Sequence, residues 1–268
     1  MELDFFVPTN KTLQKYIEGD YFISQNENAT PLNYWTFPNN FFILSISQNT
    51  EIIIEKCKLI VKPSAQDNIV VNYVASYTKP IVVLYEKPVN EITIYFKPLG
   101  ISQFSKNTEM IFKNKSASDF IPFADFTFKM KEILLLKNKT EQIEALETYW
   151  LSKLLNRQQS IMESILTDVE NDLRIDDIAK KYNFSRQYLH KLFFKSIGKS
   201  PTEYRKIHRF RNSINNQRKT KNLTELAHGN SFYDQSHFIK DFKQFTNNKP
   251  NSFFQNVNTA KEIVWLLI

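Results

Sequence analysis

The stretch from Ser185 to Gly198, SRQYLHKLFFKSIG, alternates apolar and polar side chains at the spacing of an α-helix. The apolar side chains that fall on one face are Leu189, Leu192, Phe193 and Ile197. The side chains left on the other face, all able to form hydrogen bonds, are Arg186, Gln187, His190 and Lys191. A basic amphipathic helix that follows a short helix and a tight turn is the kind of element that enters a DNA major groove.

Local signals around this helix predict the elements that position it. The preceding residues, IDDIAKKYNF, form a short helix in which the small Ala179 allows close approach, and a turn at Asn183, a residue type that tolerates left-handed backbone. Ser185 is the expected N-cap of the second helix. Gly198 is its expected end, and Pro201 prevents the helix from resuming.

A second, looser copy of this arrangement runs from Leu223 to Phe245, at an offset of 48 residues before its turn and 49 after it. Asp234 is the expected N-cap of its longer helix. The residues expected to face outward from that helix are Gln235, Ser236, Ile239 and Lys240. Between the copies, residues 201–219 are predicted to form a connecting helix that carries Arg205, Lys206, Arg209, Arg211 and Arg218.

The paired motif resembles the AraC/XylS family of bacterial transcription regulators. The resemblance covers residues 173–254, and FYDQSHFIKDFK at residues 232–243 is its most specific stretch. It implies two helix-turn-helix units, joined by a linker helix, whose recognition helices enter successive major grooves on one face of the DNA. The base-reading side chains that it implies are Arg186, Gln187, His190 and Lys191 in the first unit, and Gln235, Ser236 and Lys240 in the second.

The chemistry of these side chains agrees with base recognition, because Arg and Lys donate to guanine and Gln pairs with adenine. Basic residues near helix ends or in linkers are better placed to contact phosphates. These are Lys195, Lys199, Arg205, Lys221, Lys243 and Lys249. For each lysine, simple solvation of the surface is the alternative. Ser231 and Asn247 stand where the family usually has Gly, which suggests a weaker or more dynamic second unit.

Net charge supports a polyanionic partner for the C-terminal part. Residues 1–160 contain 17 Lys and Arg against 17 Asp and Glu, whereas residues 173–249 contain 17 against 6. Such a local excess attracts nucleic acid over roughly a Debye length, about 8–10 Å. The alternative is that the basic face only keeps the domain soluble.

Length and composition limit the number of domains, the cellular compartment and the possible disulfides. A chain of 268 residues has room for about two domains, each with its own core. We expect a cytoplasmic protein, because no apolar run approaches the ~20 residues of a membrane span and the first ten residues lack signal-peptide features. Cys57 is the only cysteine, which excludes an intrachain disulfide.

Residues 34–98 contain short β-rich runs at the spacing typical of antiparallel sandwiches and barrels. The runs are FFILSIS, EIIIE, KLIVK, NIVVNYVA, PIVVLYE and EITIYFK. In the last, Ile92, Ile94 and Phe96 share one face, so that strand is expected to be half buried. The family resemblance implies an effector-binding barrel of cupin type. Candidate pocket residues are Trp35, Phe37, Tyr73, Tyr77, Tyr85 and Tyr95, with packing in the barrel core as the alternative role.

Helical periodicity follows from Asp125 to about Asp172. The expected apolar stripes are Phe128, Ile133, Leu134 and Leu136, then Ile143, Leu146, Trp150 and Leu154. These helices either dimerise the protein or pack on their own barrel. The predicted domains are a β-rich sensor at 1–122, a helical linker and possible dimerisation segment at 123–160, a double helix-turn-helix domain at 161–256 and a tail at 257–268.

Catalysis has little support in the sequence. A metal-dependent barrel needs a cluster of His and carboxylate ligands, yet all four histidines lie in the C-terminal part. We therefore predict an α+β, non-enzymatic DNA-binding regulator without a cofactor or metal. Its expected partners are promoter DNA, with RNA polymerase, a small-molecule effector and a second copy of the chain as further candidates. The alternative is an architectural protein that binds DNA regardless of sequence.

Overall fold

The computed structural model describes most of the chain. The described residues are 4–24, 32–106, 108–114, 116–118, 120–155, 157, 161–217, 220, 222–230, 232, 234–256 and 266–267. The chain divides into two compact units, which we call the β-rich unit and the helical unit. The β-rich unit comprises residues 1–33, 41–75 and 83–158, and the helical unit comprises residues 34–40, 76–82 and 159–268.

The N-terminal half of the chain supplies most of the strands. They are β1 (Asp4–Phe6), β2 (Ile17–Ile23), β3 (Leu32–Thr36), β4 (Phe42–Gln48), β5 (Thr50–Glu55), β6 (Lys58–Pro63), β7 (Ile69–Val74), β8 (Ile81–Tyr85), β9 (Asn90–Phe96) and β10 (Ser116–Ser118), with β11 (Leu266–Leu267) near the C-terminus. The six β-rich runs of the sequence all form strands, β4 to β9. One sheet has the order β1-β2-β9-β4-β7-β10 and the other the order β11-β3-β8-β6-β5.

Strand β9 lies between β2 and β4 in the six-stranded sheet. Ile92, Ile94 and Phe96 join the hydrophobic core on one face of that sheet. Glu91, Thr93 and Tyr95 on the other face are buried as well. The expectation of a half-buried strand is therefore wrong, because both faces of this central strand are covered.

The helices follow the sheets in sequence. They are α1 (Thr108–Lys113), α2 (Phe126–Leu135), α3 (Lys139–Ser152), α4 (Ile161–Glu170), α5 (Ile175–Lys181), α6 (Arg186–Ile197), α7 (Pro201–Asn216), α8 (Leu223–Gly229), α9 (Gln235–Thr246) and α10 (Pro250–Asn256). Helices α1 to α3 belong to the β-rich unit and the others to the helical unit. Among the described residues, every helix is too short or too polar to cross a bilayer.

Helix α2 buries a different stripe from the one expected. Phe126, Met130 and Ile133 are buried, whereas Phe128 is 62% exposed. At 100° per residue, Phe128 lies on the side of the helix opposite to Phe126. The prediction that Phe128 shares one apolar stripe with Ile133 and Leu134 is therefore wrong, because only the latter two are buried. In α3 the expected stripe is confirmed at Leu146 and Trp150, both of which are buried.

Candidate nucleic-acid interface

The first helix-turn-helix consists of α5 and α6. Ser185 Oγ accepts a hydrogen bond from the backbone N–H of Tyr188 at 3.1 Å, which confirms Ser185 as the N-cap. Asn183 in the turn has a left-handed backbone with φ 56°. Gly198 ends α6 with φ 79°, a conformation that glycine adopts without a steric penalty. The local signals in the sequence therefore predicted this unit's geometry.

The inner face of α6 packs against the linker helix α7. Leu189, Phe193 and Ile197 are buried, and the Phe193 ring lies 5.6 Å from the ring of Tyr204 in an edge-to-face arrangement. Leu192, which was expected in the core, is only half buried. It lies at the margin of the packed face, so α6 buries a narrower stripe than predicted.

The outer face of α6 presents three of the four predicted base-reading side chains to solvent. Arg186, Gln187 and Lys191 are exposed. Arg186 Nη1 lies 3.4 Å from Asp176 Oδ1, an ion pair weak enough to exchange for a DNA contact. His190 is half buried, and its Nε2 is buried without a hydrogen-bond partner among the described residues. This nitrogen points into the protein, so it is not available to a base in this conformation.

Two aromatic side chains on α6 were not singled out in the sequence. Tyr188 is 51% exposed and Phe194 is 37% exposed. Tyr188 occupies the first turn of α6 and contacts Phe184 at a ring distance of 4.8 Å. The helical spacing of Tyr188, three residues before the outward Lys191, could have identified it as an outward residue.

The second helix-turn-helix consists of α8 and α9. Asp234 Oδ1 accepts a hydrogen bond from the backbone N–H of His237 at 2.7 Å, which confirms the predicted N-cap. Asn247 ends α9 with φ 59° and so performs the role of Gly198. Gln235, Ser236 and Lys240 are exposed on α9, as a base-reading surface requires. Ser231 in the turn lies outside the described residues.

A cluster of phenylalanines holds α9 in place. The buried members of this cluster are Phe37, Phe210, Phe232, Phe238, Phe242, Phe245 and Phe253, together with Ile207, Ile214, Leu226 and Ala227. The Phe242 ring lies 5.2 Å from Phe210 on the linker helix and 5.1 Å from Phe253 on α10. The core of the second unit is therefore more aromatic than that of the first.

A buried carboxylate also joins α9 to α7. The Asp241 side chain is 3% exposed, and its Oδ1 lies 3.1 Å from Lys206 Nζ. Its Oδ2 lies 3.7 Å from His237 Nε2. At the offset of 49 residues, Asp241 corresponds to Leu192 of the first unit. This polar replacement inside an apolar pattern was the signal in the sequence that could have identified the pair.

The predicted phosphate contacts divide into two groups. Lys195, Lys243 and Lys249 are exposed, and Lys221 lies outside the described residues. Lys199 is 1% exposed, and burial lowers the pKa of its ammonium to about 8. In this conformation Lys199 therefore does not reach a phosphate, and its predicted role is corrected to a buried position at the start of α7.

Arg205 also has an internal role. Its side chain is 14% exposed, and its guanidinium donates hydrogen bonds to the backbone carbonyls of Val169 and Leu173. Arg209 pairs with Asp172 at 2.7 Å, and Tyr204 Oη donates to Glu170 at 2.5 Å. The linker helix thus uses these side chains to bind the C-terminal end of α4. The prediction that Arg205 contacts phosphate is wrong for this conformation.

The predicted effector-pocket residues are divided between the two units. Tyr73 packs in the core that faces the helices of the β-rich unit, where its Oη donates to the carbonyl of Ile111. Tyr85 and Tyr95 are also buried in that unit, and Tyr85 Oη donates to Glu91 at 2.8 Å. Trp35 and Phe37 belong to the helical unit. Phe37 lies in the phenylalanine cluster of the second helix-turn-helix, so its assignment to a barrel pocket is corrected.

Metal ligands are not grouped in the part of the chain that the structure describes. His, Cys, Asp and Glu side chains there form no set of three or more that could hold an ion.

Comparisons with known proteins agree with the geometry of α5 to α10. A protein-family model described as "Helix-turn-helix domain" matches residues 178–256. This region is therefore a helix-turn-helix DNA-binding domain. The Msm operon regulatory protein of Streptococcus mutans serotype c (strain ATCC 700610 / UA159) is 33% identical over 88 residues, which are 32% of this chain and 32% of that protein. The helix-turn-helix domain at residues 178–256 is the one that the motifs predicted, and this chain spans about a third of that relative's length.

Solved structures of ToxT from Vibrio cholerae show a more distant similarity. One aligns at 15% identity with a TM-score of 0.44, covering 87% of this chain and 96% of that one. Another, bound to (E)-4-(8-methylnaphthalen-1-yl)but-3-enoic acid, aligns at 16% identity with a TM-score of 0.43, again covering 87% and 96%. At these values the similarity assigns no ligand to this chain.

Proposed function

We propose that the protein is a sequence-specific transcription regulator that places α6 and α9 in successive major grooves of promoter DNA in the cytoplasm. The observation that carries this proposal is the matched presentation of two capped helices on one continuous linker helix, α7. Each of the two buries an apolar face and exposes polar side chains in its first turns. Recognition helices of helix-turn-helix proteins contact bases from this N-terminal part.

The exposed side chains have the chemistry for base recognition. Arg186 and Gln187 lie in the first turn of α6, and Gln235 and Ser236 lie in the first turn of α9. Lys191 and Lys240 occupy matched positions one turn further along. Lys195, Lys243 and Lys249 contact phosphates in this proposal, because they are exposed towards the C-terminal ends of the helices or just beyond them. His190 joins the readout only if its ring turns outward on binding.

Footprinting on genomic fragments selected by the protein tests this function. We expect two protected major grooves on one face of the DNA, and an affinity for selected DNA roughly 10³-fold or more above that for random DNA. The affinity should also fall with salt at a slope of about −0.9 per phosphate neutralised. Equal affinity for selected and random DNA would instead support an architectural protein. If replacing Lys240 changed neither affinity nor base preference, α9 would be excluded from the readout.

The β-rich unit acts as the effector-binding module of this regulator, with its sheets forming a cupin-like barrel. The support is a buried polar cluster around Glu91, in a place where a core with only a structural role would be apolar. Burial raises the pKa of the Glu91 carboxyl, although hydroxyl groups that donate to it oppose the shift. The donors are Ser47 and Tyr85 at 2.8 Å, Thr93 at 2.8 Å and Tyr21 at 3.3 Å.

A second feature of this polar cluster is Asn72, which lies opposite Ser45 on the neighbouring strand. The residue is 5% exposed, and neither atom of its amide has a hydrogen-bond partner among the described residues. An unpaired buried amide is costly, so a small polar ligand that bonded to it would be favoured. A metabolite that changes the wild-type footprint but not that of Asn72→Leu would support this role. An unchanged response in the variant would exclude Asn72 from the effector site.

Dimerisation through α2 is the last part of the proposal. Phe128 and Leu135 are 62% and 60% exposed and lie seven residues apart on one face of this helix. Two exposed apolar side chains at this spacing can pair with the same face of a second copy. Sedimentation velocity should give a dimer for the wild type and a monomer for Phe128→Lys. A wild-type monomer at the concentration that occupies DNA would contradict this part of the proposal alone.

A further inference from the structure

Two segments distant in sequence belong to the helical unit. Residues 34–40 and 76–82, which we call the N-terminal segments, group with residues 159–268. Phe37 in the first segment is 3% exposed. Its ring lies 5.1 Å from that of Phe253 at an interplanar angle of 82°, a favourable edge-to-face geometry. A residue from the first N-terminal segment therefore completes the core around α9.

Arg211 on the linker helix binds the backbone carbonyls of Phe37 and of the residue that follows it. Its Nε donates to the carbonyl of Pro38 at 2.8 Å, and its Nη2 donates to the carbonyl of Phe37. The guanidinium carbon lies 5.8 Å from the centroid of the Phe210 ring. Because two donors of one rigid fork hold consecutive carbonyls, Arg211 fixes the backbone of the segment as well as its distance from α7.

Tyr77 in the second N-terminal segment strengthens the same contact. Its Oη donates to the carbonyl of Phe37 at 2.6 Å and accepts from Asn39 Nδ2 at 3.0 Å. Thr36 Oγ1 lies 2.7 Å from the same oxygen. Burial raises the pKa of the Tyr77 hydroxyl, so the group remains a hydrogen-bond donor at physiological pH. The Phe37 carbonyl thus accepts from both Arg211 and Tyr77.

The segments also contact the beginning of α7. Asn40 Nδ2 donates to the carbonyl of Tyr204 at 3.1 Å, and Ser76 Oγ donates to Glu203 Oε1 at 3.1 Å. Tyr204 and Arg211 are seven residues apart, which is about 10 Å along a helix. The N-terminal segments therefore hold two separate turns of the helix that connects the recognition helices.

We propose that Phe37, Tyr77 and Arg211 are positioning residues for the second recognition helix. They complete the core behind α9 and fix the linker helix from which α9 projects. Since β3 and β8 run directly into the two segments, a change in either strand reaches the DNA-reading surface along the chain itself. The effect on DNA rests on the proposed function, whereas the effect on α8 to α10 can be measured without DNA.

Hydrogen exchange of the full-length protein tests the positioning role. Phe37→Ala and Arg211→Ala should accelerate amide exchange in α8 to α10 by about tenfold or more, with less than about a twofold change in α6. Phe37→Leu and Arg211→Lys should restore part of the protection, since each keeps some of the apolar volume or the charge. Lys79→Ala, which removes an exposed cation from the same segments, is the matched control and should leave exchange unchanged.

Footprinting of the same variants supplies the second readout. Arg211→Ala should weaken protection of the groove read by α9 by about tenfold or more, while the groove read by α6 stays protected. If the alanine variants exchange like Lys79→Ala, or if the milder variants loosen α6 as much as α9, the positioning role is wrong. If the wild type protects no pair of grooves, the proposed function fails, and the exchange rates still decide whether these residues position α9.

Discussion

The two recognition helices meet the same linker helix through different chemistry. Helix α6 packs Phe193 against Tyr204, and α7 is tied to α4 through Glu170 and Asp172. Helix α9 packs Phe242 among other phenylalanine rings and adds the buried pair of Asp241 and Lys206. Repetition of a motif has therefore preserved the caps and the outward face while the supporting contacts have diverged.

The residues that support the two units differ in how far they lie from those units in the sequence. The first unit is braced by the nearby α4, where Asp168 accepts hydrogen bonds from Lys181 and Tyr182 at 2.8 Å. Burial would raise the pKa of Asp168, but these hydrogen bonds outweigh it and hold the pKa below its usual range. The second unit relies on residues 34–40, which precede it by almost two hundred positions.

The largest effect should come from truncating the two central phenylalanines. Phe193→Ala and Phe242→Ala should each cost about 3–5 kcal/mol of unfolding free energy, because both side chains are fully buried. We expect Phe242→Ala to be at the upper end, since its ring contacts those of Phe210, Phe238, Phe253 and Phe254. Denaturant titration measures the loss.

Phe194, which is 37% exposed, provides a comparison for this pair, and Phe194→Ala should cost clearly less stability than either substitution. The footprint of each destabilised variant, recorded under conditions in which the variant remains folded, should show loss of protection at only one of the two grooves. Simultaneous loss of both grooves in either variant would mean that the two units fold as one cooperative element, which would remove the distinction drawn between them.

The sequence predicted what local chemistry determines. Ser185, Asp234, Gly198 and Asn247 take their expected places because capping depends on a residue and its immediate neighbours. The roles of Lys199 and Phe37 were not predictable in this way. A lysine just after a helix-ending glycine is expected to contact phosphate, and only tertiary packing shows that Lys199 is buried. Phe37 directly follows strand β3, and its contact with α10 is not encoded by any periodicity of the sequence.

The ion pair of Asp241 and Lys206 should make the stability of the second unit sensitive to replacement of the lysine and tolerant of replacement of the aspartate. Lys206→Met leaves the buried Asp241 carboxylate without its cation and should cost about 2–4 kcal/mol. Asp241→Leu recreates the residue type found at the matching Leu192 and should cost less than about 1 kcal/mol, because Lys206, 37% exposed, can then return to water. Thermal and denaturant unfolding distinguish the two variants. Equal costs would show that the charge pair itself stabilises α9.

The outward faces should differ in how much sequence discrimination they supply. Gln187 and Lys191 on α6 match Ser236 and Lys240 on α9 at the offset of 49 residues. Gln can form two hydrogen bonds with adenine, whereas Ser forms one with several bases, so we expect the first helix to contribute more. Replacing Gln187 and Lys191 by Ala should lower discrimination between selected and mutated sites by about 1–3 kcal/mol.

The matched double variant of Ser236 and Lys240 should lose less discrimination, while overall affinity falls similarly in both because each loses one lysine. Competition gel shifts with single-base variants of each half-site measure this difference. A larger loss from the α9 variant would reverse the ranking of the two helices.

The smallest expected loss of stability comes from removing the N-caps. The caps are also the feature that the two units share most closely. Ser185→Ala and Asp234→Ala each remove an acceptor from one backbone N–H and should cost about 1 kcal/mol. Asp234→Ala should cost slightly more, because its carboxylate also interacts favourably with the positive end of the helix dipole. Salt screens only this additional contribution, so the difference between the variants should shrink in concentrated salt while the loss from Ser185→Ala remains. Chemical unfolding in urea at low and high salt measures both quantities. A difference that persists in high salt would locate the divergence of the two units in the caps as well as in their supports.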